Sequence, residues 1–105
     1  MKLLTKDIIK KLPPLYSQDG NPDAKVQVKF FCPWSSWTWY ATEYDGKDTF
    51  FGLVKGHENE LGYFSLAELQ GVRGPGGLKI ERDRWFKPLP LATVQAKLAG
   101  GGHVL

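Results

Sequence analysis

The dipeptide Asp45-Gly46 stands between two runs of aromatic and β-branched residues, Trp37-Thr38-Trp39-Tyr40-Ala41-Thr42-Glu43-Tyr44 and Thr49-Phe50-Phe51-Gly52-Leu53-Val54. Asp-Gly in such a setting is a strong hairpin signal, because both residues tolerate the left-handed backbone that a tight turn needs. The middle of the chain is therefore committed to antiparallel β structure, which no helical bundle contains. A two-residue loop would set Trp39 opposite Gly52, Ala41 opposite Phe50 and Glu43 opposite Asp48. Facing carboxylates repel, so a longer loop running through Asp48 is the alternative.

The flanking sequence extends the sheet. Lys25-Val26-Gln27-Val28-Lys29-Phe30 alternates with period two and places Val26, Val28 and Phe30 on one face. Cys32-Pro33-Trp34-Ser35 breaks that strand, and the polar turn Gly56-His57-Glu58-Asn59-Glu60 precedes a short strand, Leu61-Gly62-Tyr63-Phe64. Thr5 predicts a helix over residues 6 to 12, stopped by Pro13-Pro14, and Ser65-Leu66-Ala67-Glu68 is a capping box that opens a short helix. Residues 16 to 23 read as a polar loop, and Leu91 to Leu98 as a last helix. Pro88 and Pro90 bar a long element before it. The expected fold is α+β: an antiparallel β-meander of about four strands from residues 25 to 64, with the two capped short helices packed on one face.

At 105 residues the chain has room for one core, so a single domain over residues 1–98 with a flexible tail at 99–105 is expected. The N-terminal residues lack the apolar stretch of a signal peptide, and no window suits a membrane span, which points to a cytoplasmic protein. A lone cysteine, Cys32, excludes an internal disulfide and a cysteine-rich zinc site. The formal net charge of +3 is a near-cancellation. Residues 1–12 sum to +3, residues 13–72 to −4 and residues 73–105 to +4. Basic ends of this kind steer a polyanion if they meet in space; kept apart, they are solvated faces.

Three chemistries compete for the polar residues. A nucleophile would have to be Cys32 with His57, since His103 lies in the tail, and no local signature joins them. An oxygen-rich metal or hydrolytic site would use His57, Glu58 and Glu60 on one turn with Glu43 and Asp48 from the hairpin, although zinc-motif spacing is missing. In strict alternation Glu43 shares a strand face with Trp37, Trp39 and Ala41, where it would need a partner such as Arg82 or Arg84. The third chemistry is a binding surface of aromatics and cations. Trp34, Trp37, Trp39, Tyr40 and Tyr44 cluster in sequence, and Arg82-Asp83-Arg84-Trp85-Phe86-Lys87 interleaves cations with rings. Trp34, Trp37, Arg73, Arg82, Arg84 and Lys87 are its candidate residues, with Trp34 the most exposed indole. The competing reading puts the tryptophans in the core. Arg73-Gly74-Pro75-Gly76-Gly77 is not a phosphate loop of the Walker type, because no Lys-Ser or Lys-Thr follows. No cofactor motif is present.

Phe51-Gly52-Leu53-Val54, Gly56-His57-Glu58, Glu60-Leu61-Gly62-Tyr63-Phe64-Ser65-Leu66-Ala67-Glu68-Leu69, Arg73-Gly74-Pro75, Ile80-Glu81-Arg82-Asp83 and Phe86-Lys87-Pro88 are the runs that carry a family resemblance. Leu12-Pro13-Pro14-Leu15-Tyr16 and the Trp37 to Glu43 run fit it too. Over about residues 3 to 94 the chain resembles the small bacterial family of the domain of unknown function numbered 2958. The resemblance implies a protein carried by plasmids, integrative elements or phages, and implies no reaction. The Gly76-Gly77 pair departs from the pattern, which carries a bulkier residue beside one glycine. The expectation is a non-catalytic accessory domain of a mobile element that binds a protein or single-stranded nucleic acid through the loop aromatics and residues 73 to 87. The competing class is a small hydrolase or metal-dependent enzyme built on Glu43, His57, Glu58 and Glu60.

Overall fold

A computed structural model describes residues 2–100, so His103 and the end of the expected tail lie outside the described residues. The elements run α1 (Lys6–Lys11), β1 (Lys25–Val26), β2 (Val28–Phe31), β3 (Thr38–Tyr44), β4 (Thr49–Lys55), β5 (Asn59–Ser65), α2 (Leu66–Gly71), β6 (Glu81–Arg82), β7 (Leu89–Pro90) and α3 (Leu91–Ala99). Five strands make an antiparallel sheet in the order β5-β4-β3-β2-β6, and β1 pairs with β7 in a two-stranded sheet. The fold is α+β, and its sheet is the expected meander with β6 added beside β2. That added strand comes from a segment where periodicity is silent, because two residues are too few to show it.

The hairpin takes the longer loop. Tyr44 pairs with Phe50, Glu43 with Phe51, Ala41 with Gly52 and Trp39 with Val54. The Asp45 carboxylate Oδ1 accepts from the amides of Lys47, Asp48 and Thr49 at 2.8, 2.8 and 3.0 Å, which closes the loop locally. Asp48 is thereby released to the next element. It accepts from the Ser65 hydroxyl at 2.6 Å and from the Ala67 amide at 2.8 Å, while Ser65 Oγ accepts from the Glu68 amide at 3.3 Å. Hairpin loop and α2 N-terminus are thus one hydrogen-bonded unit.

The Asp48 and Lys47 amides hold the Asp45 carboxyl below its ordinary value. A depressed folded-state value means stabilisation that is full above the unfolded value, about pH 4, and is lost as pH falls through the folded one. Asp45→Ala is therefore expected to lower the melting temperature at neutral pH, by a margin that narrows steadily below about pH 4. Calorimetry of both proteins across that range checks it. A margin independent of pH contradicts the role given to the carboxylate.

The sheet separates two clusters. One face carries Val28, Phe30, Ala41, Tyr44 and Phe50, covered by Leu3, Ile8, Leu12, Leu66 and Leu69 from α1, α2 and their flanks. Phe50 stacks between Tyr44 at 4.6 Å and Phe64 at 5.2 Å. The other face carries Tyr40 and Leu53, packed with Val26, Val94 and Leu91. The expectation of helices on one face holds for α1 and α2, whereas α3 lies on the opposite face. Val26 follows α3: the break between β1 and β2 at Gln27 moves it away from Val28 and Phe30, with which strict alternation groups it.

Candidate functional site

Glu43 does not lie on the tryptophan face. Ala41 pairs with Gly52 and Glu43 with Phe51, so Thr42 is an extra residue in β3, a β-bulge. A bulge shifts the alternation by one, and Glu43 turns to the α3 face. Thr42 is anchored there by its hydroxyl, which donates to the Phe51 carbonyl at 3.1 Å. Gly52 makes the bulge sterically possible. A Cβ at this position would lie 1.8 Å from the Tyr40 carbonyl oxygen.

Glu43 is 4% exposed, and the partners of its carboxylate are neither Arg82 nor Arg84. Oε1 accepts from the Tyr16 amide at 2.8 Å and Oε2 from the Gln18 amide at 2.9 Å. Both belong to the loop that links α1 to β1. Tyr16 holds a φ of 69°, a left-handed conformation uncommon for a side-chain-bearing residue, and the Glu43 contact pins its amide. Between this loop and the sheet lies a cavity of about 500 Å³, with Glu43 and Thr42 at its floor and Tyr16, Phe51, Leu61 and Tyr63 in its walls. The sequence signals for this cavity are weak. Tyr16 sits in a polar loop and Tyr63 on a short strand, and neither pattern announces that they meet at 6.3 Å.

His57, Glu58 and Glu60 occupy the exposed turn and strand end beyond Lys55, at the opposite end of the hairpin from Glu43. The His57 ring packs edge-on against Trp37 at 5.6 Å. The four residues of the hydrolase reading thus fall at two separate places, one inside the cavity and three outside it. Asp48 is engaged at the α2 cap. Among the described residues, no group of three or more His, Cys, Asp or Glu is placed to hold a metal ion. Cys32 is buried in the first cluster.

The aromatic candidates also rearrange. Trp34 is not the exposed indole: its ring lies so close over Gly74 that a Cβ there would come within 2.5 Å. Trp37 packs likewise over Gly56 and lies 6.1 Å from Trp39. Each indole rests on a glycine because only glycine leaves room for the ring. Arg73 is spent on its own helix end, where Nη1 donates to the carbonyls of Gln70 and Val72 at 2.6 and 2.9 Å. Gly76 and Gly77, the pair that departs from the family pattern, have φ of 65° and 80° in the loop beneath Trp34. The exposed indole is Trp85, at 86%. A turn projects it, in which the Trp85 amide donates to Asp83 Oδ1 at 2.9 Å.

Arg82 and Arg84 flank a groove of about 300 Å³ that Lys11 and Phe86 also line. An adjoining groove, sharing Lys11 and Gln27, adds Lys10 and Lys25, with Asp23 as its one carboxylate. Arg82 reaches the N-terminal segment directly, donating to the Lys2 carbonyl at 2.7 Å. The two basic ends of the sequence therefore meet along the β2–β6 edge and α1. Asp83, the acidic residue of the first groove, pairs with Lys29 at 3.5 Å. Lys87 is exposed just beyond Phe86. Lys10, Lys11 and Lys25 are absent from the sequence-based set because only the fold joins them to Arg82 and Arg84.

No helix among the described residues is long and apolar enough to cross a membrane. Comparison with curated proteins and with solved structures finds no match. The family model described as protein of unknown function (DUF2958) matches residues 3–103, and the chain belongs to that family.

Proposed function

We propose that this protein is a cytoplasmic, non-catalytic binding module of a bacterial mobile element, and that it holds single-stranded nucleic acid on the basic strip. The observation that carries this reading is the meeting of the two basic ends at one groove, lined in part by a segment that also carries an exposed indole. Lys10, Lys11, Lys25, Arg82 and Arg84 follow two adjoining grooves, and Trp85, which falls in sequence between the groove-lining Arg84 and Phe86, is 86% exposed. A cationic groove tracks a phosphate backbone, and a free aromatic face stacks on any base, so the pair suits a single strand without base-specific readout.

Fluorescence anisotropy with a labelled oligonucleotide tests it. Binding is expected at low ionic strength and is expected to weaken as salt rises. Trp85→Ala should cost about 1–3 kcal/mol at every salt concentration, because stacking is not screened. Arg84→Ala should instead flatten the salt dependence by about 0.7 in the slope of log K against log salt. Absence of binding at low ionic strength defeats the proposal.

A further inference from the structure

The cavity beneath the α1–β1 loop has a chemistry opposite in sign to the basic strip. Its rings stand at steep angles to one another: Tyr16 and Tyr63 at 61° with centroids 6.3 Å apart, Phe51 and Tyr63 at 61° and 5.1 Å. Aromatic faces carry negative potential, so a corner of such rings beside carboxylates attracts a cation. Glu43 supplies one carboxylate at the floor and Asp19 a second in the covering loop. Tyr16, Tyr63 and Leu61 are 68%, 55% and 49% exposed, a contiguous apolar rim of the kind that marks a recognition site. Desolvation first, then the Tyr16 hydroxyl, hold the Tyr63 phenol above its ordinary value, and the charges of Glu43 and Asp19 push the same way.

We propose that this cavity binds an alkylated ammonium group, of the quaternary ammonium or methyl-lysine kind. A bare ammonium brings three donors that each want an acceptor. Here each Glu43 oxygen already accepts from one loop amide, and although Gln18, Asp19 and Asn21 also line the cavity, its surface is mostly apolar, with Tyr16, Phe51, Leu61, Tyr63 and Leu91 among the lining residues. Methyl groups on nitrogen need no acceptor. They contact the rings while the charge is balanced by Glu43 and Asp19.

The test is an NMR titration of the full chain with choline and with a trimethyl-lysine peptide, each beside its neutral tert-butyl carbon isostere. Saturable shifts of the Tyr16 and Tyr63 ring resonances are expected with the cations, and binding about tenfold weaker with the isosteres. Tyr63→Leu, at an exposed position, should weaken the cations about tenfold and leave the rest of the spectrum folded. Tighter binding of the peptide than of choline assigns the site to a protein tail; equal binding assigns it to the free ion, and either result upholds the proposal. Equal affinity for charged and neutral ligands overturns it, as does the lack of any ring shift or unchanged binding in the Tyr63→Leu protein.

Discussion

Gly52→Ala should cost about 3 kcal/mol or more, a large fraction of the roughly 5–15 kcal/mol that holds a domain of this size together. The added Cβ would meet the Tyr40 carbonyl oxygen at 1.8 Å and its carbon at 2.8 Å. Both are backbone atoms inside the central hairpin, so no side chain can swing aside. Relief would require β3 to leave β4 at Ala41, next to the bulge that turns Glu43. Chemical denaturation followed by circular dichroism reads the effect, and Gly62→Ala is the control. Gly62 pairs with Gly52 across β4 and β5, yet a Cβ there meets nothing within 4 Å. The midpoint of the first protein is expected to fall far below that of the parent, and the midpoint of the second to stay close to it. A parent-like midpoint for Gly52→Ala contradicts the close approach.

Glu43→Ala carries the second large effect. The substitution leaves the Tyr16 and Gln18 amides without their acceptor, and hydrogen bonds to a charged group are worth about 1.5–3 kcal/mol each. Water entering the opened cavity recovers part of that, so a net loss of about 2–4 kcal/mol is expected. Glu43→Gln keeps one carbonyl acceptor and should fall between the two. Hydrogen exchange localises the damage: the Tyr16 and Gln18 amides should lose protection in Glu43→Ala at denaturant concentrations where the β3–β4 ladder keeps its own. Unchanged exchange at both amides contradicts the anchoring role.

Most of the sheet and both capped helices were legible in the sequence because their signals are local. The Thr5 and Ser65 caps, Asp45-Gly46 and the alternation around Val28 each report on a few neighbouring residues. What period two conceals is an interruption of period two. The extra residue at Thr42 and the break at Gln27 each reverse a face, and those two reversals account for the misplaced Glu43 and Val26. Gly52 is the one local mark of the first reversal, and a glycine in a strand has several possible meanings.

The site was legible in composition more than in address. Arg82 and Arg84 line the basic groove, and Lys87 lies exposed beside it. Arg73 serves as a helix-end donor, while Trp34 and Trp37 rest on Gly74 and Gly56. The exposed ring is Trp85, inside the cation-aromatic run Arg82 to Lys87. Lys10, Lys11 and Lys25, which line the two adjoining grooves, come from the first 25 residues of the chain. Only the pairing of β6 with β2, and the docking of α1 beside it, bring them into line.

The most direct measurement of the central claim is an amide chemical-shift map of the protein with a short single-stranded oligonucleotide at low ionic strength. Shifts are expected at residues 10–11, 25 and 82–87, together with the Trp85 indole, and none at Tyr16, Glu43 or Tyr63. Shifts centred on the carboxylate-floored cavity, or no shifts at all, would contradict it.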